Sequence, residues 1–259
     1  MWTNSMLKQN AKASLKNYYW MAVLASFIAS LLTGAGGGSG RAASSSSGAS
    51  AGAAASGSEF DSLFGNIESE SEAIGILAGV AAIGLVIVLV VVVAAFCYSF
   101  FIGAPVTVGH NRFYLDARRG DVSVGKLFFQ FKDGRYMATV KTMFFMSLKI
   151  FLWSLLFWIP GIIKTYEYFL VPYIVAENPH ISRERAFEIS RETMNGEKMG
   201  VFLLQLSFIG WFFLGAITLI GIFFVTPYYQ ATLAEFYCCM RAKALAQGIA
   251  RPDELIENY

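Results

Sequence analysis

Ala73–Gly103 runs for 31 residues without a single charged side chain, and its centre reads VIVLVVVVAAF. As a helix it reaches about 45 Å at 1.5 Å per residue, against a bilayer hydrocarbon thickness of about 30 Å. An apolar cylinder of that length has no polar face to offer water. Lipid is the medium that suits it. Charged residues make up only 15% of the chain and apolar residues 56%, where a soluble domain carries about 25% charge. The 23 Phe, 12 Tyr and 5 Trp suit rings placed at membrane interfaces.

Two further apolar blocks are too long for one crossing. Met143–Pro179 is broken at Pro160-Gly161 and again at Pro172. It predicts spans over about Ala138–Ile159 and Gly161–Asn178 that meet at the Pro-Gly turn. Gly200–Met240, interrupted at Gly215 and Gly221, predicts spans over Gly200–Gly215 and Ile217–Met240. Tyr18–Thr33 supplies the first span, with Tyr18, Tyr19 and Trp20 marking its interface. Its rival reading is a cleaved secretory signal. The expected fold is therefore all-α: a polytopic helical bundle of about six transmembrane helices in three hairpins, a single integral domain over 1–259.

Charge sets the threading. Lys8, Lys12 and Lys16 precede the first span without an acid; Leu7, Ala11 and Leu15 share their spacing. That pattern predicts a basic amphipathic helix lying on an anionic leaflet. Residues 34–72 form a Gly/Ser/Ala-rich loop with Arg41 against Glu59, Asp61, Glu68, Glu70 and Glu72. Its composition predicts a flexible outside loop. Residues 104–142 hold Arg112, Arg118, Arg119, Lys126, Lys132, Arg135 and Lys141 against three acids. They read as a basic cytoplasmic loop, with an interfacial helix over Val122–Phe131. The positive-inside rule then puts both termini in the cytoplasm of a bacterial cell membrane. Orientation alone accounts for the basic loop, so nucleic acid is not an expected partner.

Prolines recur at comparable places: Pro105, Pro172 and Pro227 near the cytoplasmic ends of the second helices, with Pro160 at the turn. Each frees a carbonyl and is expected to kink its helix. Tyr173 and Tyr228 follow two of them, and Trp153 and Trp211 match upstream, as in a repeated hairpin.

LKQNAKASLKNYYW, LLFWIPGIIKTYEY, VPYIVAENPHIS, the Ala186–Lys198 block, LSFIGW and TPYYQATLAEFY together resemble a bacterial family of uncharacterised multi-pass membrane proteins, a domain of unknown function (number 975). The resemblance covers nearly the whole chain outside the Gly/Ser loop. That family is distantly similar to the membrane domain of some glycerophosphodiester phosphodiesterases. The resemblance implies a polytopic bundle and transfers no catalytic residue.

Ionisable groups within spans are the candidate sites, because lipid makes them costly. They are Lys149, Lys164, Glu167 and Glu235. Lys164 and Glu167 share a helix face and can pair. Lys149 has no local acid, and Glu235 is its expected partner across helices. His110 and His180 are the only histidines, both in expected cytoplasmic loops. No HExxH, GxSxG, P-loop or metal-spaced cluster occurs, so neither catalysis, a metal nor a cofactor is expected. Asn178-Pro179-His180 beside Glu177 reads as a helix-ending turn, with a small polar site as the alternative. The expected role is a non-enzymatic membrane component whose partners are lipids or another membrane protein. The alternative is a small transporter or channel lined by kinked helices and Lys149/Glu235.

Overall fold

A computed structural model describes residues 2–33, 70–132, 134, 136–217 and 221–255. The expected loop over 34–72 lies outside them except for its last three residues, and so do Asp133, Arg135 and Thr218. Among the described residues all regular structure is helical. The chain divides into two compact units, Met1–Ala42 with Ser99–Tyr259, and Ala43–Tyr98.

The described part of the second unit is one helix, α3, Glu70–Tyr98. Its large side chains from Val80 to Phe96 are all exposed. The first unit starts with α1, Asn4–Leu15, capped by the Thr3 hydroxyl, and α2, Tyr19–Thr33. After a π turn at Ser99–Gly103 come α4, Ala104–Ala117, and a 3-10 segment, Val124–Phe128, which passes into a single α turn, Phe129–Lys132. Helices α5, Tyr136–Leu156, and α6, Trp158–Glu167, fold back on each other. Two shorter helices follow, α7, Val171–Glu177, and α8, Arg183–Thr193. The last pair is α9, Lys198–Ile217, against α10, Gly221–Ala246.

Helix α4 is the centre of this unit and packs on α2, α5, α7, α10 and the 3-10 segment. Almost every residue from Pro105 to Ala117 is buried. The expected basic loop therefore begins with a largely enclosed helix, because Val106, Val108, Phe113 and Leu115 outweigh the polar residues between them. Helix α2 meets it through small residues, Ala22, Ala25, Ser26 and Ala29, all buried. Their i, i+3, i+4, i+7 spacing lets two backbones approach. The 3-10 segment also comes close to α4, at Gly109, where a Cβ would lie 2.1 Å from the Leu127 carbonyl oxygen.

Three expectations are corrected. The chain reverses at Phe157, which is extended (φ −154°, ψ 141°), three residues before the Pro-Gly pair. Pro160 instead sits in the first turn of α6, where no N–H partner is needed. Gly161 lets that turn cross α5, since a Cβ there would come 2.8 Å from the Ser154 Cα. The expected continuous span Gly161–Asn178 is two helices separated by a turn at Tyr168–Leu170. Finally, the Leu7/Ala11/Leu15 stripe of α1 is buried against α10, not free to lie on a leaflet. The Lys8 and Lys12 ammonium groups sit over the Phe208 and Tyr228 rings, at 4.5 and 5.8 Å.

The four singled-out prolines differ in setting. Pro105 and Pro172 open α4 and α7, and only Pro227 lies inside a helix. A proline leaves the carbonyl four residues earlier without its usual donor. At Pro105 that carbonyl, Phe101 O, accepts from the Tyr136 hydroxyl. Near Pro227, Phe224 O accepts from the Tyr19 hydroxyl at 3.5 Å.

Candidate functional site

Burial changes along the long helices of the first unit. On α5, Thr139, Val140, Thr142 and Met143 are buried, whereas Phe151, Leu152, Leu155 and Leu156 are exposed. On α9, Val201, Leu204 and Phe208 are buried, whereas Ile209, Trp211, Phe213, Leu214 and Ile217 are exposed. On each helix one face of the first half is packed in protein, with Met137 of α5 and Met199, Phe202, Leu203 and Leu206 of α9 exposed beside it, and the second half is almost wholly bare apolar surface. The polar groups gather with the packed first halves.

There they form a cleft of about 640 Å³ between the end of α4, the 123–132 segment and the turn after α7. Arg112, Lys126, Lys132 and His180 line it, with Ser123, Phe129 and Asn178. Arg112 projects from α4 and is fixed by its own helix and by α7. Its Nε donates to Asp116 Oδ2 at 3.0 Å; its Nη1 donates to the Ala176 and Glu177 carbonyls at 2.9 and 3.2 Å. Lys126 Nζ reaches the same Asp116 oxygen at 2.6 Å and also pairs with Asp121. Asp116 is buried, so one enclosed carboxylate holds two cations at the wall. Glu177, which also lines the cleft, is occupied from behind: the Tyr237 hydroxyl donates to it at 2.5 Å and Arg241 Nε at 2.9 Å.

The floor is tied to the chain's C-terminal segment. Asn178 Nδ2 donates to the Glu254 carbonyl at 2.9 Å, and its Oδ1 accepts from the His180 amide at 2.9 Å. The Asn178-Pro179-His180 turn thus both ends α7 and lines the cleft. Glu254 in turn holds Arg185, with Nε 2.7 Å and Nη2 3.0 Å from its oxygens. That guanidinium pushes the Glu254 carboxyl down to about 2, helped by hydrogen bonds from Arg251.

The four expected intramembrane charges fall into two places, neither at the cleft: Lys149 and Lys164 both lie over the Tyr168 ring, at 5.7 and 5.8 Å, and Glu235 is held by Arg118. Lys164 pairs with Glu167 at 2.9 Å, as their spacing predicted, and Lys198 joins them at 3.5 Å. Lys149 does not meet Glu235. Its ammonium stands 4.2 Å from the centre of the Phe187 ring. Glu235 is held bidentately by Arg118, at 2.6 and 3.0 Å, with Ser14 at 3.4 Å. An Arg fork matches a carboxylate in geometry as a lysine cannot, and α10 lies beside α1 and α4. His110 is corrected too: it is buried within α4, its Nε2 3.3 Å from the Ser26 hydroxyl, which is 2.7 Å from the Tyr114 hydroxyl. That polar lock between α2 and α4 has no sequence signature beyond the small residues around Ser26. Among the described residues, no group of three His, Cys, Asp or Glu side chains has metal-holding geometry.

Residues 155–244 match the model of a family described as "Protein of unknown function (DUF975)". The match takes in the IPG, VPYIVAENP and TPYYQATLAEFY motifs and leaves the N-terminal lysine-bearing motif outside it. No curated protein and no solved structure matches the chain.

Proposed function

We propose that this chain, a member of the DUF975 family through residues 155–244, is a non-enzymatic component of the bacterial cytoplasmic membrane that binds membrane lipid. The change from packed to bare along α5 and α9 carries this reading. Exposed Phe151, Leu155, Phe213 and Ile217 are tolerable only where the surroundings are themselves apolar. Three helical stretches, Ala78–Ala117, Tyr136–Leu156 and Lys198–Ile217, are long and apolar enough to cross a membrane. In the full reading, α2, the α6–α7 arm and α10 complete six spans, with proline-bent return arms and both termini inside.

The transporter alternative draws less support, because Glu235 is held by Arg118 and not by Lys149, which sits with the Lys164–Glu167 pair around Tyr168.

The test is alkaline carbonate extraction of native membranes, combined with a reporter fused after Tyr259. The chain is expected in the pellet, with the reporter active only in the cytoplasm. Release into the carbonate supernatant, or a reporter active outside, defeats the reading. Solute flux in reconstituted vesicles above that of protein-free vesicles shifts the role to transport.

A further inference from the structure

We propose that the Arg112/Lys126/Lys132/His180 cleft is a binding site for a phosphate group, that of an anionic phospholipid headgroup at the membrane interface. This rests on the membrane reading above and adds a ligand class and an address to it.

The argument begins with what the wall presents. The acids nearest the cleft are spent: Asp116 is shared by Arg112 and Lys126, and Glu177 is held by Tyr237 and Arg241. Asp121 pairs with Lys126 from the exposed side. Arg112 and Lys126 are therefore positioned before any ligand arrives, which lowers the ordering cost of binding. Lys132 and His180 complete the rim without a counter-ion among the described residues. With Arg112 and Lys126 already paired, the Lys132 ammonium, unpaired among the described residues, leaves the rim a positive charge that an anion meets. Phosphate oxygens accept charge-assisted hydrogen bonds from such groups.

The second observation concerns depth. Beside Lys126 and Lys132, the Phe128 and Phe131 side chains are exposed. Their rings lie 6.2 Å apart, and Phe131 meets Tyr136 at 5.2 Å. Exposed aromatics flanked by lysines belong at the headgroup level of a bilayer. The cleft opens next to them, where lipid phosphates lie. Free phosphate shares the recognised chemistry, and the experiment separates the two sources.

The full chain, purified in detergent after passing the carbonate test, is titrated calorimetrically with dihexanoyl phosphatidic acid, with inorganic phosphate and with dihexanoyl phosphatidylcholine. The wild type is expected to bind phosphatidic acid saturably. Because the Lys132 and His180 side chains have no partner among the described residues, the Lys132→Ala/His180→Ala double variant should keep the wild-type unfolding temperature while binding about tenfold or more weakly. Lys132→Arg should restore most of the affinity. Binding of phosphatidic acid alone identifies the headgroup; equal binding of inorganic phosphate identifies phosphate irrespective of its source, and both outcomes support the site. Three results overturn it: no saturable binding of either phosphate compound, phosphatidylcholine binding as tightly as phosphatidic acid, or a double variant with unchanged affinity. Since the sample has already behaved as an integral membrane protein, such a failure removes the cleft proposal and leaves the membrane reading standing.

Discussion

Single residues decide where this chain tolerates change. Gly109 sits against the Leu127 backbone with no room for a methyl group. Gly109→Ala must push α4 off the 3-10 segment and is expected to cost about 2–4 kcal/mol, measurable as a lowered unfolding midpoint in detergent. Glu254 makes a pH prediction. Its carboxyl is depressed from 4.5 to about 2 by Arg185, so its stabilisation is present above about pH 4.5. It fades as pH falls toward 2. Glu254→Gln should remove that acid-limb loss while lowering stability near neutrality by about 1–3 kcal/mol. Thermal melts across pH 2–7 check both statements, and an unchanged acid limb in the variant counts against the pairing. Of the site residues, sequence disclosed the Lys164–Glu167 pair because both ends lie on one turn of helix. It misassigned Glu235, whose partner Arg118 lies 117 positions away; spacing carries no information about which helices become neighbours. Asn178 and His180 were visible as a turn, but the cations facing them were assigned to orientation alone.

At the scale of elements, the apolar blocks were legible by their length, but the Pro-Gly pair misplaced the reversal that falls at Phe157. Helix α9 falls within two residues of its expected boundaries, whereas α10, Gly221–Ala246, is shifted toward the C-terminus from the expected Ile217–Met240. Helix α4 was not legible. Its polar residues, His110, Asn111, Arg112 and Asp116, mimic a loop until their partners on α2 and α7 are known. The α4–α10 contact makes the next prediction. Arg118→Met leaves the Glu235 carboxylate, only 4% exposed, without its cation, which should cost about 3–5 kcal/mol. Arg118→Met/Glu235→Met should recover most of that, because no charge then stays buried unpaired. If the double variant is no better than the single, the ion pair is not what joins these helices.

For the molecule as a whole, the apolar stretch that most limits the sequence is also the most exposed helix. A spin label on Cys97, with Cys238 and Cys239 changed to Ala, tests its surroundings. In reconstituted bilayers molecular oxygen should relax the label efficiently and a water-soluble nickel chelate should not. The opposite ranking would mean that Cys97 faces water. Net charge, +2 over the chain, predicted none of the local cation clustering. Composition averages over helix segments that differ in burial.

The bare halves of α5 and α9 have one more consequence. On the proposed membrane reading that surface meets only fluid acyl chains, has no fixed partner to fit, and answers to greasiness and not to shape. In a saturation-mutagenesis screen for membrane insertion, Leu, Ile, Val and Phe should interchange freely at Phe151, Leu155, Phe213 and Ile217. At Ala22, Ala25 and Ala29, where another backbone presses close, the same exchanges should be purged.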